Sequence, residues 1–158
     1  MTDIALIWDP VNGRADFAVA GGDLVMDQGL ATAVIISLFC DGLADPGDAI
    51  PDGTLDRRGW WGDTPLPNAT DPTAGGIDLT GSKLWLLARA LQTQETLNQA
   101  QSYAQAALAW MITDGIAGSI DATAVFPATP PNALELSIDI YQTGAANPTR
   151  FAFAWSAS

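Results

Sequence analysis

The spacing of apolar residues changes along the chain, and these changes constrain the fold more than any other feature. Short apolar runs separated by turn residues come first, helical spacing follows from Leu30 and again between residues 82 and 114, and a period of two begins after Gly115. This order predicts an α+β fold in which central helices pack on a mostly antiparallel sheet completed by C-terminal strands. With 158 residues, 48% of them hydrophobic, residues 1–158 are expected to form a single domain.

The N-terminal segment, residues 3–26, is predicted to form a three-stranded β-meander. Proline, Asn-Gly and Gly-Gly suit the backbone angles of tight turns, and two such turn segments interrupt the apolar runs. The strands are expected at residues 4–8, 16–20 and 24–26, with turns at 9–13 and 21–23.

A helix of about three turns is expected from Leu30, because apolar residues recur there every three to four positions. Asp27 would cap its start, and Asp41-Gly42 would end it. The β-branched residues 34–36 would also suit a strand, which stays open as an alternative.

Two more helices and three more strands are predicted in the second half of the chain. Ser82 would cap a helix running to Leu91, and Thr93 would cap a longer helix that ends at Asp114-Gly115. The strands, in which apolar and polar residues alternate, are expected at 116–126, 134–141 and 151–155.

Residues 41–81 lack a regular period and are rich in Pro, Gly and Asp, which indicates an ordered functional loop or a flexible arm. Arginine and tryptophan, the side chains most enriched at interface hot spots, lie together at its centre. The residues of this loop predicted to bind a partner protein are Arg57, Arg58, Trp60 and Trp61. Alternatively, the tryptophans anchor the loop to its own domain while the arginines neutralise nearby aspartates.

The last predicted strand is a second candidate for partner binding. A strand at the edge of a sheet has unpaired backbone groups to which another chain can add a strand. The residues predicted to bind a partner here are Phe151, Phe153 and Trp155. An internal strand, or one that the protein itself covers, is the alternative.

Charge and composition argue against several functions. Eighteen acidic and six basic residues give a net charge of −12, which disfavours binding to nucleic acid or to anionic membranes. The chain has no His, so catalytic triads and His-ligated metals are excluded. The single cysteine, Cys40, rules out an intrachain disulfide and is expected to be a buried small hydrophobe.

No signal peptide or membrane span is expected. Residues 1–3 lack the basic start of a secretory signal, and the first cation is Arg14. The longest apolar stretch, residues 30–40, is too short for the roughly 30 Å core of a bilayer.

Acidic side chains are candidates for metal ligands and for catalytic groups. A calcium site is conceivable at Asp45, Asp48, Asp52 and Asp56. Their spacing does not match a calcium-binding loop, so a solvated acidic loop is expected. Glu95 would complement a helix dipole and Glu135 would lie on the polar face of a strand, so neither is predicted to be catalytic. No catalytic residue, cofactor or metal is therefore predicted.

Several segments together resemble a known phage family. They are residues 3–9, 22–24, 31–39, 57–63, 81–87 and 103–110. In this order they resemble the Mu-like phage baseplate proteins called the phage gene product 46 family, over essentially the whole chain. The block Arg-Arg-Gly-Trp-Trp-Gly-Asp at 57–63 is the most specific part of the match.

The resemblance implies a structural, non-enzymatic wedge subunit of a contractile tail, similar to the sheath initiators of other contractile injection systems. In that class the subunit binds larger wedge proteins around the tail hub, in six copies, and offers a strand edge to the first sheath ring. The implied partners are wedge proteins, the hub or tube, and sheath proteins. The implied location is the virion tail baseplate, with the host cytoplasm during assembly.

Two other functions are alternatives to this role. A peptidoglycan muramidase would have to use Glu95 and Glu135, and some baseplate proteins of this broad class have carried lysozyme labels. An acidic inhibitor that mimics DNA would fit the charge of −12. Mimicry calls for an ordered stripe of carboxylates, whereas the aspartates here are scattered and concentrated in turns.

Overall fold

The computed structural model describes residues 3–27, 29–63, 79–128 and 133–156 and has the predicted α+β fold. The strands are β1 (Asp3–Ile4), β2 (Leu6–Asp9), β3 (Arg14–Phe17), β4 (Val19–Ala20), β5 (Asp23–Leu24), β6 (Met26–Asp27), β7 (Ala117–Val125), β8 (Ala133–Gln142) and β9 (Thr149–Ser156). The helices are α1 (Ala31–Phe39) and α2 (Gln94–Thr113), and Leu84–Leu87 form a 3₁₀ turn.

The three predicted N-terminal strands are present, but each is broken near its middle and pairs with both of the others. β2 pairs with β3, β4 with β5, and β1 with β6, all antiparallel. At the breaks, Ala18 N–H donates to the Ala5 carbonyl at 2.9 Å, Ala5 N–H to Val25 and Val25 N–H to Ala18, both at 2.8 Å. This cycle of bonds closes residues 3–27 into a compact N-terminal strand unit.

Residues 34–36 lie in helix α1, so the predicted helix, not the alternative strand, forms here. The buried residues Val34, Ile35 and Leu38 form the face of α1 that packs in the core. The N-cap position is Leu30, whose side chain makes no capping bond. Asp27 lies before it, and its carboxylate accepts the N–H of Thr32 at 2.9 Å, so it supplies the capping bond predicted for it. The backbone bond from Thr32 is the main cause that holds the pKa of Asp27 below its usual value.

The helix expected from Ser82 to Leu91 is shorter than predicted and consists of one 3₁₀ turn. The Ser82 hydroxyl accepts the N–H of Leu84 at 3.2 Å, as a cap would, but it also donates to the Leu38 carbonyl at 2.5 Å. The backbone of Ser82 bridges in parallel to Asp41. These bonds tie the turn to the end of α1. Arg89, two residues after the turn, has a left-handed φ of 66°.

Helix α2 begins and ends as predicted. The Thr93 hydroxyl accepts the N–H of Thr96 at 3.2 Å, and Gly115, with φ of 74°, follows the last turn. Its fully buried residues are Ala100, Ala104, Leu108 and Met111.

The C-terminal strands form an antiparallel sheet in the order β7-β8-β9. Alternate residues of β8 point into the core against the helices, and these are Leu134, Leu136, Ile138 and Ile140. In the described part of the chain, no helix is both long and apolar enough to cross a membrane.

Candidate protein interface

Arg57 holds two parts of the long loop together. Its Nε donates to the Ala44 carbonyl at 2.7 Å, and its Nη2 donates to the same oxygen. A backbone hydrogen bond joins the same two residues, because Ala44 N–H donates to the Arg57 carbonyl at 3.0 Å. Ala44 is buried, so the guanidinium of Arg57 holds the two arms of the loop together.

Arg58 ties the loop to the body of the protein. Its Nη1 lies 2.8 Å from a carboxylate oxygen of Asp41, and its Nη2 lies 3.9 Å from Asp52. The guanidinium carbon lies 4.3 Å from the centre of the Trp85 ring, a cation–π geometry. Arg58 therefore neutralises nearby aspartates, as the alternative interpretation of the sequence predicts.

The two loop tryptophans differ in exposure. A turn closed by Asp63 N–H on the Trp60 carbonyl at 3.0 Å folds the Trp60 ring over Gly62, where a Cβ would lie 2.2 Å from that ring. The centres of the Trp60 and Trp61 rings are 5.4 Å apart. Trp60 is partly covered, whereas Trp61 is 89% exposed. Trp61 is thus the side chain of this block that is most available to another molecule.

The acidic residues of the loop make internal contacts. Lys83 Nζ lies 2.5 Å from Asp45 and 2.9 Å from Asp48, and its hydrogen bond is the main cause that lowers the pKa of Asp48. Asp52 and Asp56 accept hydrogen bonds within local turns. Across the described ranges, no group of three carboxylate, thiol or imidazole side chains is placed to hold a metal ion.

The aromatic side chains of the last strand face inward. Phe153 is buried in the core and meets Phe39 edge to face, with ring centres 5.3 Å apart. Phe151 and Trp155 are partly buried and pack against the same core. These three side chains support β9 from within, and the outward feature of the strand is its backbone.

The outer edge of β9 is open along part of its length. Within the described residues, β9 pairs with β8 alone, so its other edge has no strand partner there. The Trp8 indole N–H donates to the Ala154 carbonyl at 3.0 Å, so this carbonyl points away from β8. Strand alternation directs the backbone N–H and carbonyl of Ala152 the same way. Trp8 therefore covers the edge near Ala154, and no strand among the described residues pairs with the rest of it.

A cleft of about 440 Å³ brings parts of the two predicted sites together. Its lining residues are Trp8, Gly13, Leu38, Phe39, Asp41, Arg58, Leu84, Trp85, Ala88 and Trp155. Trp8 stacks on Phe39 there, with ring centres 3.7 Å apart. Of the seven predicted site residues, Arg58 and Trp155 line this cleft. Sequence reasoning missed Trp8 and Trp85, since their meeting depends on contacts between distant segments.

The remaining chemical candidates are not among the residues that line this cleft. Glu95 is exposed in the first turn of α2, as expected for a charge that complements the helix dipole. Glu135 lies on β8, opposite Val125 and Ala154. Cys40 is partly buried, and this burial, followed by the charges of Asp41 and Asp63, raises the pKa of its thiol.

The chain matches a family of phage proteins and is similar to two known proteins. The profile of the family described as "Phage protein GP46" matches residues 30–147, and the chain belongs to this family. The "Baseplate protein gp46" of Escherichia phage Mu is 44% identical over 124 residues, which cover 78% of this chain and 77% of that protein. The "Mu-like prophage FluMu protein gp46" of Haemophilus influenzae is 37% identical over 156 residues, 99% of each chain. The family resemblance noted in the sequence is confirmed.

Proposed function

We propose that this protein is a structural subunit of a phage tail baseplate. Its 44% identity to a baseplate protein of phage Mu, over 78% of the chain, carries the proposal. In this role residues 1–158 act as one non-enzymatic domain that binds wedge proteins, links them to the tail hub or tube and initiates the sheath. Six copies would surround the hub of a contractile tail, in the virion and, during assembly, in the host cytoplasm.

The loop at 57–61 is the proposed contact with a wedge protein. Arg57 and Arg58 hold the loop in place through Ala44, Asp41 and Trp85, so a partner would meet a surface that is already ordered. Trp61 lies at the outside of this surface and is 89% exposed. Burial of an exposed tryptophan is among the larger single contributions to a protein interface.

Replacement of Trp61 tests this contact more cleanly than charge reversal of the arginines, because the arginines also hold the loop together. We expect Trp61→Ala to leave the free energy of unfolding unchanged and to reduce copurification with the wedge protein by about tenfold or more. Leu55→Ala is the matched control, since Leu55 is in the same loop and is 96% exposed. Copurification of Trp61→Ala at the level of the unmodified protein would refute the proposed contact.

A further inference from the structure

The 440 Å³ cleft adjoins the backbone groups of β9 that are open to another strand. Trp155 of β9 lines the cleft, and so does Trp8, whose indole N–H donates to the carbonyl of the neighbouring Ala154. Ala152 directs its backbone N–H and carbonyl away from β8 by strand alternation. Since two residues of a strand span about 6–7 Å, a strand that pairs at Ala152 reaches the cleft with its next residues.

Trp8 determines where such a pairing ends. Its indole occupies the Ala154 carbonyl and stacks on Phe39, with ring centres 3.7 Å apart, so an added strand has to leave the sheet at this point. Phe39 in turn meets Phe153 edge to face. Side chains of an added strand alternate as those of β9 do, so the one beside Phe153 points inward, toward the rings of Phe39 and Trp8.

The surface of the cleft is mainly apolar and aromatic. Its buried lining residues include Leu38, Leu84 and Trp85, and the rings of Trp8, Phe39 and Trp155 are only partly buried. The indole N–H of Trp85 donates to the Gly42 carbonyl at 2.8 Å, and that of Trp8 is bonded to Ala154. These two indoles therefore offer ring surface to an occupant. A volume of about 440 Å³ lies within the range of sites that hold a ligand group.

The charges in the cleft favour a neutral occupant with a polar tip. Among the described lining residues the charged ones are Arg58 and Asp41, which pair with each other at 2.8 Å. A charged side chain that entered would find no free opposite charge there, and burial of an unpaired charge is costly. A tyrosine or tryptophan places its ring against the aromatic lining, and its O–H or N–H can bond to the Asp41 carboxylate.

We propose that the strand that adds to the edge of β9 inserts a Tyr or Trp side chain into this cleft. In strand addition, backbone bonds give affinity and pockets for side chains give specificity. The edge near Ala152 supplies the backbone bonds, and the cleft supplies the pocket. The inference rests on the proposed strand addition at β9, and it names the side chain that this site recognises.

Filling the cleft tests the proposal without altering the edge. Ala88 lines the cleft, so Ala88→Trp would occupy it, whereas Ala90 is exposed and is not among the lining residues. Ala90→Trp is therefore the matched control. We expect the yield of sheathed tails to fall by about tenfold or more with Ala88→Trp and to stay unchanged with Ala90→Trp. Circular dichroism and thermal unfolding establish that both variants are folded.

The outcomes separate this inference from the strand addition itself. Normal sheaths with Ala88→Trp, together with failed sheaths with the edge variant Ala152→Pro, would overturn the cleft and leave strand addition standing. Normal sheaths with both variants would overturn both proposals. An equal loss with Ala90→Trp would also overturn the inference, because the effect would not come from the cleft.

Photo-crosslinking in assembled particles gives an answer that does not depend on the folding of Ala88→Trp. The probe p-azidophenylalanine would replace Trp155, which lines the cleft, or Arg150, which lies near the start of β9. We expect both positions to crosslink to one segment of one partner polypeptide, and this segment should contain Tyr or Trp. Crosslinks to different polypeptides, or to a segment without Tyr or Trp, would contradict the proposal, as would no crosslink at position 155.

Discussion

Arg58 shows how one residue of the loop combines backbone strain with several contacts. Its φ of 52° lies in the left-handed region, which costs a residue other than glycine about 1–2 kcal/mol. The ion pair with Asp41 and the stack on Trp85 offset this cost.

Two substitutions separate the strain from the contacts. Arg58→Ala keeps the strain and loses the ion pair and the cation–π contact, so we expect the free energy of unfolding to fall by about 1–2 kcal/mol. Arg58→Gly loses the same contacts but relieves the backbone, so its loss should be about 1 kcal/mol smaller. Urea unfolding followed by circular dichroism measures both. Equal losses in the two variants would show that the backbone at this position is not strained.

At the scale of elements, the start of α1 depends on a carboxylate from a neighbouring strand. Asp27 ends β6, and its two oxygens accept the N–H groups of Gly29 and Thr32 at 2.8 and 2.9 Å. These bonds lower the pKa of Asp27 below 3.8 in the folded protein. The stabilisation is therefore present at neutral pH and is lost as the pH falls through the folded pKa.

Asp27→Asn tests this linkage. At pH 7 we expect the variant to be less stable by about 1 kcal/mol, because a neutral amide oxygen replaces a charged cap. The difference should shrink as the pH is lowered below 3.8. Asp16→Asn removes an equal charge from the same unit, away from any helix end, and serves as the control. A difference that stays constant from pH 7 to pH 2.5 would contradict the assignment of the cap.

We propose that the open edge of β9 is the element that pairs with the sheath. Truncation of the strand would remove Phe153 from the core, so it cannot separate folding from pairing. Ala152→Pro removes a backbone N–H that points away from β8, and proline is tolerated on edge strands. We expect the purified variant to stay folded, with a free energy of unfolding within about 1 kcal/mol of the original, and to fail to start sheath assembly.

The control for this edge is Ala152→Ser, which keeps the N–H. Thermal unfolding establishes that both variants are folded, and electron microscopy of assembled tails scores the sheath. Normal sheaths on baseplates that carry Ala152→Pro would rule out strand addition at this edge.

At the scale of the whole molecule, local patterns predicted the elements but not the contacts between distant segments. Thr93 and Gly115 bound α2 as expected, because caps and stops are local signals. Trp8 and Ala154, by contrast, are 146 residues apart, and no periodicity predicts their bond. The short 3₁₀ turn has the same origin, since Ser82 bonds to Leu38 in a helix 44 residues earlier.

For the candidate interface, the sequence predicted the residues but not their contacts. Composition located Arg57, Arg58, Trp60 and Trp61, because arginine and tryptophan stand out in an acidic chain. Their separate contacts depend on partners such as Ala44 and Trp85, which only the fold brings near.

The whole molecule thus presents two neighbouring surfaces, the Trp61 loop and the open edge of β9, and Arg58 and Trp155 of these segments line one cleft. Its net charge of −12 opposes self-association, so these surfaces suit contacts with different proteins. Such an arrangement is expected of a small subunit that joins several neighbours in a symmetric assembly.

The most direct test is quantitative mass spectrometry of purified tail particles, with this chain measured against the sheath and hub proteins. The baseplate role predicts that the chain is an integral component, at about six copies per particle in a sixfold assembly. Its absence from intact, sheathed particles would contradict the account.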